Sequence, residues 1–177
     1  MSESNIMINI SFKNYKFCPY CGKDLKIKTE ELKERQFCPD CDWTYYPHVG
    51  VAVGAIIIND NKVLMVRRSR KPYKGTWMFP AGFVDYGEHP EETLIREVQE
   101  ETGLKVDEYK YYGLFQAPDD PRSPGHFTIF YEILAFSDQI FNNDEDENVE
   151  IKWFNINDLP NIGWDSHKKV AAKLQKF

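Results

Sequence analysis

The chain has 177 residues, enough for one medium domain or a domain with a small appendage, and its 42% hydrophobic and 15% aromatic content supports a packed core rather than a disordered chain. A formal net charge of −6 argues against broad nucleic-acid binding, which works by neutralising phosphates with Lys and Arg. An acidic protein that handles a phosphorylated small molecule must bring in positive charge locally, most simply as a metal ion.

The first seventeen residues hold no sustained apolar run, so no signal peptide is expected. The longest apolar stretch, Val49 to Ile58, is too short and too Gly-rich to span a membrane. The expectation is a cytoplasmic protein with no membrane partner. In a reducing compartment four cysteines point to metal binding before disulfides. Cys18-Pro19-Tyr20-Cys21-Gly22 and Cys38-Pro39-Asp40-Cys41 form two CxxC pairs with sixteen residues between them. That spacing suits a tetrahedral four-thiolate zinc site in which each pair forms a knuckle and Gly22 permits the tight turn. A redox pair is the weaker reading, because nothing around either pair is thioredoxin-like. Four thiolates leave no open position, so the zinc is read as structural. Residues 1–46 are assigned to this ribbon and 47–177 to a second domain, divided where Pro47 interrupts regular structure.

In the second domain Val49 to Ile58 reads as a buried strand, Asn59-Asp60-Asn61 as a hairpin turn and Lys62 to Arg68 as the returning strand. After the loop at Lys71 to Gly75 comes a short segment, Trp77 to Pro80. A helix then runs from Pro90 to about Thr102, capped by His89 or Glu88 and stopped by Gly103. Val106 to Phe115 and His126 to Phe136 read as strands flanking a proline-rich loop, Ala117 to Gly125. Asn142 to Asn148 reads as a solvated acidic loop, Glu150 to Phe154 as a strand and Ser166 to Phe177 as an amphipathic helix.

The Pro90–Thr102 helix breaks two local rules. Glu97, Glu100 and Glu101 share a face at spacings of three and four, where like charges cost about 0.2–0.5 kcal/mol per pair. They also sit near the helix C-terminus, where the macrodipole disfavours anions by about 0.3–1 kcal/mol each. Leu94, Ile95 and Val98 are expected to pack the adjoining face into the core. A divalent cation removes the conflict, and carboxylates are hard ligands suited to Mg²⁺ or Mn²⁺. An ordinary exposed acidic face is the competing reading of the triplet alone.

The wider pattern decides between them. Gly82, five residues, Glu88, seven residues, then Arg96-Glu97-Val98-Gln99-Glu100-Glu101-Thr102-Gly103-Leu104 matches the Nudix box at every defining position. Seven fixed positions coincide by chance on the order of once in 10⁹ windows at average residue frequencies. From about Val49 to the last helix the chain resembles the Nudix hydrolase family, with Ala81 and Asp85 standing where a Gly and a Glu are more typical. The resemblance implies an α+β fold, an α/β/α Nudix sandwich around a mixed sheet, preceded here by the small zinc ribbon. It implies that Glu97, Glu100 and Glu101 bind Mg²⁺ or Mn²⁺ with a backbone carbonyl near Gly82, and that Arg96 braces Glu88 and the helix. The activity implied is metal-assisted attack of water on one phosphorus of a diphosphate. Glu97 is the first candidate base, and Glu150, ahead of Trp153, the second, since some members use a later glutamate.

A ribbon ahead of such a domain resembles the subgroup of NADH, ADP-ribose and FAD pyrophosphatases. The Ser-Gln-Pro-Trp-Pro-Phe-Pro type motif of NADH pyrophosphatases is replaced here by Leu114-Phe115-Gln116-Ala117-Pro118-Asp119-Asp120-Pro121-Arg122-Ser123-Pro124-Gly125-His126. Pro118 and the Asp-Pro-Arg and Gly-His elements are similar to the ADP-ribose group. ADP-ribose, cut to AMP and ribose 5-phosphate, is therefore the substrate expected first, then FAD or NADH, then a nucleoside triphosphate. Arg122 and His126 are candidate phosphate or ribose contacts, although solvated or structural roles are commoner for such residues, and Phe115 or Phe127 are candidates for stacking on adenine. A nucleotide sensor is the non-enzymatic alternative, disfavoured because no box carboxylate is missing. A ribbon-mediated RNA-binding protein is a second alternative, opposed by the composition. The expected partner is a nucleotide-derived small molecule; a homodimer is left open by the resemblance.

Overall fold

The computed structural model describes residues 15–141 and 147–176, and the chain divides between His48 and Val49 into two compact units. In the first unit β1 (Lys26–Glu30), β2 (Lys33–Cys38) and β3 (Trp43–Thr44) form an antiparallel sheet in that order. Glu31 and Leu32 join β1 to β2 with positive φ at both positions, the geometry of a tight two-residue hairpin turn.

The second unit is built on a sheet of β10 (Asn148–Asn155), β5 (Lys62–Arg68), β4 (Val51–Asn59), β9 (His126–Ser137) and β8 (Lys105–Ala117), in that spatial order. The short strands β6 (Trp77–Met78) and β7 (Ala81–Phe83) pair with β5 and β4. Only β4 and β9 run parallel, so the sheet is mixed. Asp60 and Asn61 turn β4 into β5 with positive φ, which Asp and Asn tolerate better than most residues.

Strand alternation divides the side chains between two layers. Val53, Ala55, Ile57 and Leu64 pack with Leu94 and Val98 of α1 (Pro90–Thr102). Ile56, Val63, Met65 and Phe130 pack with Val170 and Ala171 of α2 (Asp165–Leu174). Both faces of the sheet are thus covered, giving a helix–sheet–helix sandwich.

The termini of α1 are locally specified. His89 Nδ1 accepts from the Glu91 amide at 3.3 Å and Glu92 Oε2 accepts from the His89 amide at 2.8 Å, a reciprocal cap. Pro90 occupies the first turn, and Gly103 ends the helix at φ 74°. Ile95 departs from expectation: it is 41% exposed, while Thr93 is fully buried. The buried face follows Leu94, Val98, Glu101 and Thr102 at helical spacing, and Ile95 lies one residue beyond it. The expected acidic loop also differs, because Asn148 is buried and begins β10, while residues 142–146 lie outside the described residues.

Gly54 faces Phe130 directly across the β4–β9 ladder, and a Cβ there would lie 2.7 Å from Phe130 Cδ1. The Phe130 ring is fully buried and cannot withdraw. Gly54→Ala is expected to lower stability by about 1–3 kcal/mol through overpacking, measured by denaturant unfolding; an unchanged midpoint would contradict this packing.

Candidate active site

One guanidinium organises the acidic end of α1. Arg96 donates from Nε and Nη2 to the two oxygens of Glu88, each at 2.9 Å. Its Nη1 donates to Glu97 Oε1 at 2.7 Å and to Glu100 Oε2 at 3.1 Å. Glu88 also accepts from Thr93 Oγ1 at 2.6 Å and from the Asp85 amide at 3.2 Å. Arg96, followed by these donors, holds the Glu88 carboxyl down at about 2. Glu88 therefore fastens the loop before α1 to the helix.

Glu97 and Glu101 behave differently. Burial pushes Glu97 above the ordinary carboxylate range against the pull of Arg96. Glu101 is 2% exposed; its Oε2 accepts from the Ala81 amide at 2.8 Å and its Oε1 from Asn148 Nδ2 at 2.9 Å. Burial pushes it up to about 8, with the charges of Glu97 and Glu147 adding to the rise. A Cβ on Gly82 would fall onto the Glu97 carboxylate, so that carboxylate lies against bare β7 backbone. Glu100 is the outlier of the triplet, exposed and, among the described residues, held by Arg96 alone. A partly buried carboxylate paired with Arg96 and a buried one bonded to an amide N–H and an asparagine, beside a glycine cradle, suit a hard divalent cation better than they suit each other.

Gly82, Arg96 and Glu97 form part of the wall of a cavity of about 250 Å³. Arg68, Arg70 and Glu147 line it too, and Glu147 Oε1 lies 3.6 Å from Arg68 and 2.8 Å from Arg70. Arg122 and His126 also line it. Arg122 is clamped by Asp120, with Nε at 3.1 Å from Oδ1 and Nη2 at 3.0 Å from Oδ2, and lies over the rings of Phe83 and Trp164. His126 Nδ1 is 3.1 Å from the Ser123 carbonyl oxygen, and burial keeps the ring below its ordinary pKa.

Three expected positions lie away from the cavity. Phe115 and Phe127 do not line the cavity; Phe115 faces α2, 5.6 Å from the Phe130 ring, and is part of the core. Glu150 also lies away from the cavity, ion-paired to Arg67 at 3.1 Å. The cause is an irregularity in β10, which sets Asn148 opposite Arg68 but Glu150 opposite Arg67. The extra residue, Val149, turns Glu150 to the other face. Glu147 is the later carboxylate that reaches the cavity, a position hidden from sequence reading because it depends on that bulge. Phe83, Trp164, Asp120 and His167 were likewise missed; the adjacent Asp119 and Asp120 beside Arg122 were the available signal.

In the first unit the four Sγ atoms of Cys18, Cys21, Cys38 and Cys41 lie within 4.8 Å of one another, with Cys21 and Cys38 3.6 Å apart. A tetrahedron of thiolates about 2.3 Å from zinc has edges of roughly 3.8 Å, so the set fits. Burial raises the Cys18 thiol, but hydrogen bonds from the Tyr20 and Cys21 backbone outweigh it and bring the group to about 7.

The NUDIX domain family profile matches residues 48–174. Over 153 residues the chain is 36% identical to an ADP-ribose pyrophosphatase of Methanocaldococcus jannaschii, covering 85% of this chain and 83% of that protein. It is 32% identical to the NAD-capped RNA hydrolase NudC of Pseudomonas fluorescens, over 92% of this chain and 55% of that one, so it spans about half of that relative's length. A NUDIX hydrolase structure from Nitrosomonas europaea superposes with a TM-score of 0.70 at 26% identity, covering 92% of each chain.

Gly82→Ala is expected to displace Glu97 and cut divalent-dependent turnover by about a hundredfold or more. Activity and thermal melting measured together check this, and turnover close to that of the unsubstituted protein would show that the cradle is unimportant.

Proposed function

The chain belongs to the NUDIX family, and from that premise we propose that it is a Mg²⁺-dependent pyrophosphatase of nucleoside diphosphate derivatives, preferring ADP-ribose and yielding AMP and ribose 5-phosphate. The observation that supports the metal dependence is the crowding of partly buried Glu97 and buried Glu101 beside Gly82, where burial raises both carboxyls.

Glu97, Glu100 and Glu101, with a backbone carbonyl near Gly82, would hold Mg²⁺ or Mn²⁺. When bound, the ion acidifies water, orients phosphate oxygens and offsets developing negative charge. Arg96 fixes Glu97 and Glu100 in place without needing to touch substrate. Glu97 is the first candidate to accept the proton from the attacking water, and Glu147, rather than Glu150, is the second because it lines the cavity. Arg68, Arg70 and Arg122 supply cationic charge for the paired phosphates at the same cavity.

The ADP-ribose preference is supported by the 36% identity to a protein of that name over most of both chains. A second reading, a dinucleotide such as NADH, is favoured by the likeness to NudC. The presence of every box carboxylate favours hydrolysis over a nucleotide-sensing role. The cysteine quartet would hold one structural zinc, contributing to the stability of a unit with little apolar core.

Glu100→Gln tests the assignment with little risk to the fold, since Glu100 is exposed and, among the described residues, bonded to Arg96 alone. Mg²⁺-dependent hydrolysis is expected to fall by about a hundredfold or more at unchanged melting temperature. A substrate panel of ADP-ribose, NADH, FAD, diadenosine polyphosphates and oxidised dGTP is expected to rank ADP-ribose first. Near-normal turnover of the variant would reject the role, and equal rates across the panel would reject the ranking. Metal analysis is expected to find one zinc per chain; free thiols without zinc would exclude it.

A further inference from the structure

His167, on α2, lines the same cavity and is not used by the mechanism above. The ring is 4% exposed, stacked on Phe79 at 5.7 Å and edge-on to Phe130 at 5.0 Å. Its Nδ1 accepts the Phe79 backbone N–H at 3.2 Å. An imidazole nitrogen that accepts cannot carry the proton, so in the neutral ring the proton is on Nε2. Burial, reinforced by the neighbouring His126 and by the positive charge of Arg68, drives its pKa to about 3, which keeps the ring neutral in ordinary buffers. Among the described residues the Phe79 bond is the only hydrogen bond His167 makes, and Nε2–H is left as a fixed donor.

A second buried donor stands in the same wall. Arg68 is 2% exposed; its Nε donates to the Pro72 carbonyl at 3.0 Å, and its Nη1 is 3.6 Å from Glu147. Its Nη2 is buried and, among the described residues, has no hydrogen-bond partner. An unmet donor on a buried cation is costly, and on a residue that lines the cavity it points to an acceptor brought by a ligand.

We propose that His167 is a specificity-determining residue whose Nε2–H, together with Nη2 of Arg68, binds an oxygen of the substrate phosphoryl group that lies away from the box glutamates. This rests on the pyrophosphatase reading. The cationic partner selects an anionic oxygen, and the neutral imidazole adds a donor without adding a charge that would need its own balance. A donor that cannot be deprotonated or turned towards another partner favours a ligand with acceptors only at this point, as a phosphoryl group has, over a hydroxyl that must also donate.

Two substitutions separate this role from a structural one. His167→Asn keeps an acceptor for the Phe79 amide and removes the donor facing the cavity. His167→Gln carries an amide N–H out to the position of Nε2 and gives up the Phe79 bond. Dissociation constants for ADP-ribose are measured by calorimetry with Ca²⁺ in place of Mg²⁺, beside thermal melting. The expected result is a weakening of about tenfold to a hundredfold for Asn and binding within about threefold of wild type for Gln, both variants melting cooperatively at a lower temperature because the ring packed on Phe79 is lost. With Mg²⁺ the Asn variant is expected to raise KM more than it lowers kcat. Asn binding as wild type does, or Gln as weak as Asn, overturns the proposal. A wild-type protein that binds ADP-ribose without cleaving it overturns the hydrolase reading alone, because the two dissociation constants still judge His167. Wild type that fails to bind ADP-ribose overturns both.

Discussion

Carboxylates are crowded at one end of α1, and the fold answers them with a single guanidinium. Arg96 meets Glu88 with two bonds and spends its remaining donor on Glu97 and Glu100. One positive charge cannot neutralise three, and the last turn of the helix contains no basic residue to offset the macrodipole. Glu101 adds a fourth carboxylate, buried where its charged form is least stable. A protein that keeps such a cluster accepts a local instability that is relieved when a cation enters.

The sheet turns that excess charge into a site. Gly82 on β7 gives Glu97 room against backbone, and the neighbouring Ala81 amide fixes Glu101. On the same unit, the end of β5, the bend that follows it and the turn into β10 bring Arg68, Arg70 and Glu147 to the cavity. α2 contributes His167 from the other layer of the sandwich. Glu97 and Glu147 therefore face the same cavity as Arg68, Arg70 and Arg122, and on the function proposed that arrangement would polarise a phosphoanhydride between a bound cation and a set of arginines.

How much of this was readable depended on whether its causes were local. The span of α1, its cap at His89 and its stop at Gly103 follow from neighbours in sequence, as does the Asp60-Asn61 hairpin. The box glutamates stood out because the spacing from Gly82 to Leu104 resembles the Nudix box; the charge conflict of the triplet alone left an ordinary acidic face open. What escaped depended on tertiary placement. The bulge at Val149 sends Glu150 away and leaves Glu147 at the cavity. The facing of β8 puts Phe115 under α2. His167 looked like one more residue of an amphipathic helix, because the feature that sets its proton is the distant Phe79 amide.

The central claim is that Glu97 and Glu101 await a divalent cation. Anomalous diffraction from crystals grown with Mn²⁺ tests it most directly. A peak within coordination distance of both carboxylates and the Gly82 backbone is the result predicted. Crystals that take up Mn²⁺ elsewhere, with Glu101 still bonded only to Ala81 and Asn148, would contradict it.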